Sequence, residues 1–172
     1  MGLAYRIRQL RDNLTAGPLT ADARAEIVEQ LTPAERELFF RFTHADQWHS
    51  YRVLRTLREA GYNHPDLLTA ALLHDVGKIR CPLSVWDRTV IVVGSALFPR
   101  RAETWACGSL ESWRRPFVAR AQHPAWGAEM AADVGVRPTV VEMIRRHQDR
   151  IAEDENETDR LLAILQWADD QN

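Results

Sequence analysis

The stretch DLLTAALLHDVGK, residues 66–78, decides the fold of this chain because it ends an apolar helix in two ionisable side chains. His74 and Asp75 each follow apolar residues at four and seven positions, so both point to the apolar face of that helix. A carboxylate that is buried without a partner is costly, and a cation or a metal ion offsets that cost. The pair therefore predicts a metal site in the interior, between helices.

Three further side chains, His49, His147 and Asp169, lie in phase with the apolar faces of their own predicted helices. His123 directly precedes Pro124, and proline favours the first position of a helix, so we expect His123 at a helix N-terminus. Each of these segments therefore offers an imidazole or a carboxylate to the interior, in addition to the adjacent pair.

Ordinary structural roles are the alternative for each residue taken alone. A lone histidine on an apolar face is usually a hydrogen-bonded core residue, and a lone aspartate near a chain end is usually solvated. Such roles suit His44, about 140° round its helix from His49, and His64, which lies in a loop before Pro65. The ordered set of six residues, with two of them adjacent, instead favours a metal site.

The types of ligand narrow the choice of metal. Imidazole and carboxylate without thiolate favour iron or manganese, with zinc, nickel and cobalt as further candidates. Six ligands are enough for two divalent ions, and two ions a few ångströms apart can clamp a phosphoryl group.

Composition and charge describe a single globular domain of 172 residues, with 45% hydrophobic and 27% charged residues. The net charge of −2 gives no basic footprint, so we do not expect duplex nucleic acid as a partner. Cys81 and Cys107 lack the spacing of a zinc knuckle and suit reduced thiols in a cytoplasmic protein. The longest apolar run, residues 90–98, is too short for a transmembrane segment.

Helix signals follow one another along the chain, and strand signals are nearly absent, which predicts an all-α bundle. We treat residues 1–43 as a helical extension and residues 44–172 as the core of one domain. A cap at Thr32 with Glu35 three residues on, and a similar pair at Ser84 and Asp87, mark two helix starts. Predicted helices cover residues 3–14, 20–31, from 32 onward, 46–60, 65–76, 84–97, 111–121 with a break at Pro116, 124–135, from 138 through His147, and 158–169, with a loop at 153–159.

The ordered motifs resemble the HD superfamily of metal-dependent phosphohydrolases over roughly residues 46–172. The matching pieces are WHSYRV with His49, LLHDVGK with His74 and Asp75, HPAWGAEM with His123, IRRHQD with His147, and WADDQN with Asp169. The resemblance implies a mostly helical fold in which His49, His74, Asp75 and Asp169 hold one metal ion. It further implies that Asp75 bridges to a second ion bound by His123 and His147.

Within that superfamily the motifs are most similar to HD-GYP phosphodiesterases and to bacterial symmetrical dinucleoside tetraphosphatases. HD-GYP proteins carry a GYP stretch after the last histidine pair. Here the corresponding segment around His147, RRHQDRIAEDE, holds one histidine and no GYP, so cyclic di-GMP is not the expected substrate. Ala45 stands where some relatives have a glutamate, so a third metal ion is not expected either.

The predicted activity is hydrolysis of a phosphate ester or anhydride by a metal-activated water, with a nucleotide or dinucleotide as the small phosphorylated substrate. Asp75 and Lys78 are the expected catalytic residues, and Lys78 resembles the lysine that contacts substrate phosphate in several relatives. Arg52 and Arg146 are further candidates for binding phosphate, although an arginine on a helix is usually a solvated surface charge.

Two other functions compete with hydrolysis. The chain could keep the fold without turnover, as a ligand-sensing or interaction module, although a complete set of ligands argues against this. The run VIVVGSALF, followed by Arg100 and Arg101 and neighboured by tryptophans at 86, 105 and 113, also fits a peripheral membrane protein. For that run we favour a helix in the core of a globular domain.

Overall fold

The computed structural model describes residues 16–151 and 156–172, so the predicted helix at residues 3–14 lies outside the described part. The described residues form α-helices and one 3-10 helix, without a strand, which confirms the all-α prediction. The elements are α1 (Ala21–Gln30), α2 (Pro33–Phe39), α3 (His44–Glu59), α4 (Pro65–Leu73), the 3-10 helix (Val76–Arg80), α5 (Val85–Leu97), α6 (Pro99–Ala106), α7 (Arg115–Asp133), α8 (Pro138–Arg146) and α9 (Glu157–Asp170).

Side-chain caps begin most of the early helices. The hydroxyl groups of Thr20, Thr32, Thr43 and Ser84 each accept a hydrogen bond from a backbone N–H in the first turn. Both predicted capping boxes, at Thr32 and at Ser84, are present. Because Thr43 caps α3, that helix begins two residues earlier than the sequence pattern indicated.

The central helix α4 is buried from Asp66 to Leu73 and packs against α3, α8 and α9. It ends at Leu73, three residues before the predicted end, with His74 as its C-terminal cap. The chain then tightens into the 3-10 helix, in which Lys78 N donates to Asp75 O over 2.9 Å. His74 and Asp75 lie at this change of pitch, in the buried turn that directly follows α4.

Two glycines let the 3-10 helix cross α7 at close range. A Cβ on Gly77 would lie 1.9 Å from the backbone oxygen of His123, and one on Gly127 would lie 3.0 Å from the backbone nitrogen of Gly77. The two backbones are therefore nearer to each other than any side chain would allow.

The prediction that Pro124 begins a helix is wrong. Pro124 lies in the middle of α7, which begins at Arg115 with Pro116 in its first turn, so Pro116 does not interrupt a helix either. His123 is therefore in the interior of a long helix and not at an N-terminus. The helix α6 had no counterpart among the predictions.

The expectation of a core helix at residues 90–98 is also wrong. Of the side chains described in α5, only Ile91 is buried. The others are not buried because α6 and α7 cover only one side of the helix. Among the described residues, no helix combines the length and the hydropathy that crossing a bilayer requires.

Candidate metal centre

Six side chains meet in the interior as two groups of three. The first group is His49, His74 and Asp169, and the second is Asp75, His123 and His147. Within each group, the atoms that could bind a metal lie within 4.8 Å of one another. The structure thus brings together all six residues that the sequence singled out as metal ligands.

The first group joins three separate elements. His49 on α3 faces Asp169 on α9, with 2.9 Å between His49 Nε2 and Asp169 Oδ1. His74 follows α4, and its Nε2 lies 3.6 Å from the same carboxylate oxygen. His49 and Asp169 are partly exposed, whereas His74 is buried.

The second group is buried throughout. His123 Nε2 and His147 Nε2 lie 3.2 and 3.6 Å from Asp75 Oδ1, and 3.2 Å from each other. His123 comes from α7, and His147 is the C-terminal cap of α8.

Asp75 stands between the two groups and divides its oxygen atoms between them. Its Oδ1 faces the second group, whereas its Oδ2 lies 3.4 Å from His74 Nε2 and 3.7 Å from His49 Nε2. Such a carboxylate can touch a cation on either side, one through each oxygen.

Backbone carbonyls set the orientation of three of the four imidazoles. His74 Nδ1 donates to Ala71 O over 3.0 Å, and His147 Nδ1 donates to Ile144 O over 2.8 Å. A carbonyl can only accept, so the proton is on Nδ1 and Nε2 is left to face the centre. The Nε2 of His74 is fully buried and forms no hydrogen bond within the described residues, so it is available to bind a metal ion.

The carbonyl of Arg120 orients the third imidazole, that of His123, and Pro124 leaves this carbonyl free to do so. Proline has no N–H, so Pro124 leaves the carbonyl of Arg120, four residues earlier, without its helical donor. His123 Nδ1 donates to this oxygen over 2.8 Å. The proline inside α7 is therefore tolerated because a side chain takes up the hydrogen bond that its missing N–H would have made.

The electrostatics of the centre favour a cation. Burial opposes charge on His74, but Asp75 and Asp169 outweigh it and raise its pKa from 6.5 to about 10. Burial alone would raise the pKa of Asp75, yet Lys78 and His74 hold it well below its usual range. Likewise, His74 and His49 lower the pKa of Asp169 despite its burial. Both carboxylates are therefore negative at neutral pH and are balanced by protonated neighbours.

Burial and the nearby charge of His74 lower the pKa of His147 to about 3. Its imidazole is therefore neutral at physiological pH, which is the form that binds a metal ion.

Lys78 lies one turn beyond the pair, at the edge of a cavity of about 480 Å³. Its Nζ pairs with Asp75 Oδ2. Burial disfavours the ammonium, but the carboxylates of Asp75 and Asp46 raise its pKa above the usual value. His123 also lines this cavity, which therefore opens directly beside the second group.

Four polar residues of this region were not among the sequence predictions for the site. Asp46, Arg88, Arg120 and Gln148 line the same cavity. Arg88 Nη2 lies 3.2 Å from the buried carboxylate of Asp46, a pair that joins α5 to α3 across 42 positions of sequence. No local motif signals a contact of that range.

The two arginines proposed from sequence as phosphate ligands do not line the cavity. Arg146 instead pairs with the buried Asp159, with 2.7 Å between Nη1 and Oδ1, and Arg52 is half-buried on α3. His44 is exposed at the start of α3, and His64 caps α4 through its Nδ1. Both lie outside the two groups, as helical phase indicated for His44 and the position before Pro65 indicated for His64.

The chain matches a known protein family. A family model described as HD domain matches residues 48–170, well over half of the chain. No curated protein and no solved structure matches it.

Proposed function

The chain belongs to the HD domain family, whose members are mostly metal-dependent hydrolases, and from that premise we propose that it hydrolyses a phosphate ester or anhydride. The observation that carries this proposal is the position of Asp75 between two groups of buried imidazoles. Such a divided carboxylate suits a pair of cations, and a pair of cations suits attack on phosphorus.

His49, His74 and Asp169 would hold the first ion, His123 and His147 the second, and Asp75 would bind both. The donors are nitrogen and carboxylate oxygen without thiolate, so iron or manganese is the proposed metal, and zinc, nickel or cobalt would also suit the site. The buried Nε2 of His74, which forms no hydrogen bond within the described residues, supports this assignment. When bound, such ions lower the pKa of water and neutralise charge on a phosphoryl oxygen.

Lys78 would bind the phosphate and stabilise charge on its oxygens. Its raised pKa keeps it an ammonium at neutral pH, and it already lies between Asp75 and the cavity. Once Asp75 binds a cation, the ammonium can turn from that carboxylate to an anionic substrate.

The cavity supports a nucleotide as the substrate. Its volume of about 480 Å³ falls within the usual range for small-molecule sites. Lys78 and His123 line the cavity and both contact Asp75, so a phosphate would meet the centre there. The apolar side chains of Leu83 and Ile91 also line it. A phosphate with an attached base matches that distribution of charge.

The test compares wild-type chain with Asp75→Ala and His44→Ala. Metal content per mole of chain is measured by mass spectrometry after manganese or iron loading. Turnover is measured on bis(p-nitrophenyl) phosphate and then on a panel of nucleotides. We expect about two ions and turnover for the wild type and for His44→Ala, and loss of both for Asp75→Ala.

Each other outcome has a defined meaning. About one ion per chain would assign His123 and His147 to substrate contacts. No bound metal after loading would overturn the proposal. Two ions with no turnover, but tight binding of one nucleotide, would favour a ligand-sensing module.

A further inference from the structure

One face of α5 is apolar and uncovered. Trp86, Val90, Val93 and Leu97 recur at intervals of four, three and four residues, which places them within about 60° of the helix circumference. All four are exposed, Trp86 by 80% and Leu97 by 65%. A helix on the surface of a monomeric protein normally turns charged residues outward, and this one turns none.

A second face of α5, centred roughly 120° round the helix from the apolar face, holds the helix to the rest of the protein. Its charged residues, Asp87 and Arg88, pair with Arg115 and Asp46 respectively. Close packing of Gly94 against the ring of Phe117 completes this face, since a Cβ there would lie 2.6 Å from that ring. The apolar face is therefore presented outward by a helix that is anchored from behind.

The exposed area suits an interface between two protein chains. Beyond α5 the patch continues through the exposed side chains of Phe98 and Trp113, which both contact the ring of Trp105. An aromatic side chain carries roughly 150–250 Å² and a valine or leucine less, so the exposed fractions of these six side chains amount to on the order of 700 Å². The largest patch of a typical monomer is about 300–600 Å², whereas a stable dimer buries about 800 Å² per partner.

We propose that α5 binds α5 of a second copy of this chain, in antiparallel orientation about a two-fold axis between Val90 and Val93. In that arrangement Val90 faces the partner's Val93, and Trp86 faces the partner's Leu97. The small valines at the centre allow close approach of the helices, and the large residues close both ends.

The distribution of charge favours a second copy over a lipid surface. Arg100 and Arg101 lie just beyond one end of α5 and are exposed. Antiparallel pairing puts these like charges of the two chains at opposite ends, whereas parallel pairing would bring them together. An interfacial membrane helix carries basic residues along its polar face, but the single arginine of α5 is paired with Asp46.

The test measures the mass of the full-length chain by light scattering after gel filtration, and its self-association by sedimentation equilibrium. We expect a dimer for the wild type. Val93→Glu should raise the dissociation constant by about 30-fold or more, because a charge would be buried near the axis. Val134→Glu is the matched control, since Val134 is also an exposed valine but lies at the end of α7, outside the patch.

A second substitution tests the orientation. Adding Val90→Lys to Val93→Glu places opposite charges face to face in the antiparallel pair, so the double variant should dimerise more tightly than Val93→Glu alone. Failure to recover would overturn the antiparallel arrangement. A wild-type monomer, or equal weakening by Val93→Glu and Val134→Glu, would overturn the dimer. A monomer that binds phosphatidylglycerol vesicles through Trp86 would assign the face to lipid instead.

Discussion

Gly77→Ala should separate the two halves of the metal centre. The added Cβ would lie 1.9 Å from His123 O, 2.6 Å from Gly127 N and 2.8 Å from the carbonyl carbon of His123. Ordinary contact begins at 3.4 Å, so the 3-10 helix and α7 must move apart by about 1.5 Å. All three obstructing atoms belong to the backbone, so no side chain can rotate away to make room.

The expected cost follows from this displacement. Overpacking a rigid site costs about 1–3 kcal/mol, and the backbone contacts put Gly77→Ala near the upper value. For a chain of this size, about 3 kcal/mol corresponds to a fall in Tm of roughly 6–12 °C. Metal–ligand distances tolerate only about ±0.2 Å, so His123 would leave the second ion, while His49, His74 and Asp169 keep the first.

The assay combines calorimetric Tm with metal content per mole of chain. Gly17→Ala is the control, because its Cβ would meet nothing within 4 Å. We expect one ion and a lowered Tm for Gly77→Ala, and wild-type values for Gly17→Ala. The reasoning is refuted if Gly77→Ala keeps both ions and a wild-type Tm. Loss of both ions in equal measure would show a general collapse of the fold and not a selective shift of α7.

Two further predictions concern single protons and single hydrogen bonds at the centre. Pro124→Ala restores an N–H that competes with His123 for the Arg120 carbonyl, so we expect a Tm about 5 °C higher but binding of the second ion weakened about tenfold. Unchanged metal affinity in a titration would contradict this role for the proline. In the metal-free protein the pKa of His74 is raised to about 10, so its charge stabilises the fold below the usual pKa of 6.5, and that contribution is lost as pH rises through about 10. A metal ion must displace this proton when it binds His74. Calorimetry of metal binding in two buffers at about pH 8 should therefore show one proton released at the first group. Release of no proton would be evidence against the ion pairs of His74.

The candidate ligands other than His123 could be predicted because helical phase depends on sequence alone. His74 and Asp75 follow apolar residues at helical spacing, and the structure buries both, although the α-helix itself ends at Leu73. The cap at Thr32 is likewise a local signal, and it begins α2 as predicted.

The surroundings of the ligands could not be predicted, since they depend on contacts between distant segments. Arg88 and Asp46 are 42 positions apart and meet only when the fold brings α5 near α3. Pro124 misled the prediction because proline usually begins a helix, and only the neighbouring His123 side chain makes its interior position acceptable. The hydropathy of α5 suggested burial, but hydropathy does not tell whether an apolar face meets its own chain or another molecule.

The pairing of Lys78 with Asp75 has a consequence for the order in which the protein folds and binds metal. In the metal-free protein the imidazolium of His74 and the ammonium of Lys78 balance the charges of Asp75 and Asp169, so these four groups sum to zero without any ion. Small zinc domains, by contrast, unfold when their metal is removed. We therefore expect this chain to fold before it binds metal, and to exchange the His74 proton for an ion afterwards. Chelation should accordingly yield a folded protein that can be reloaded.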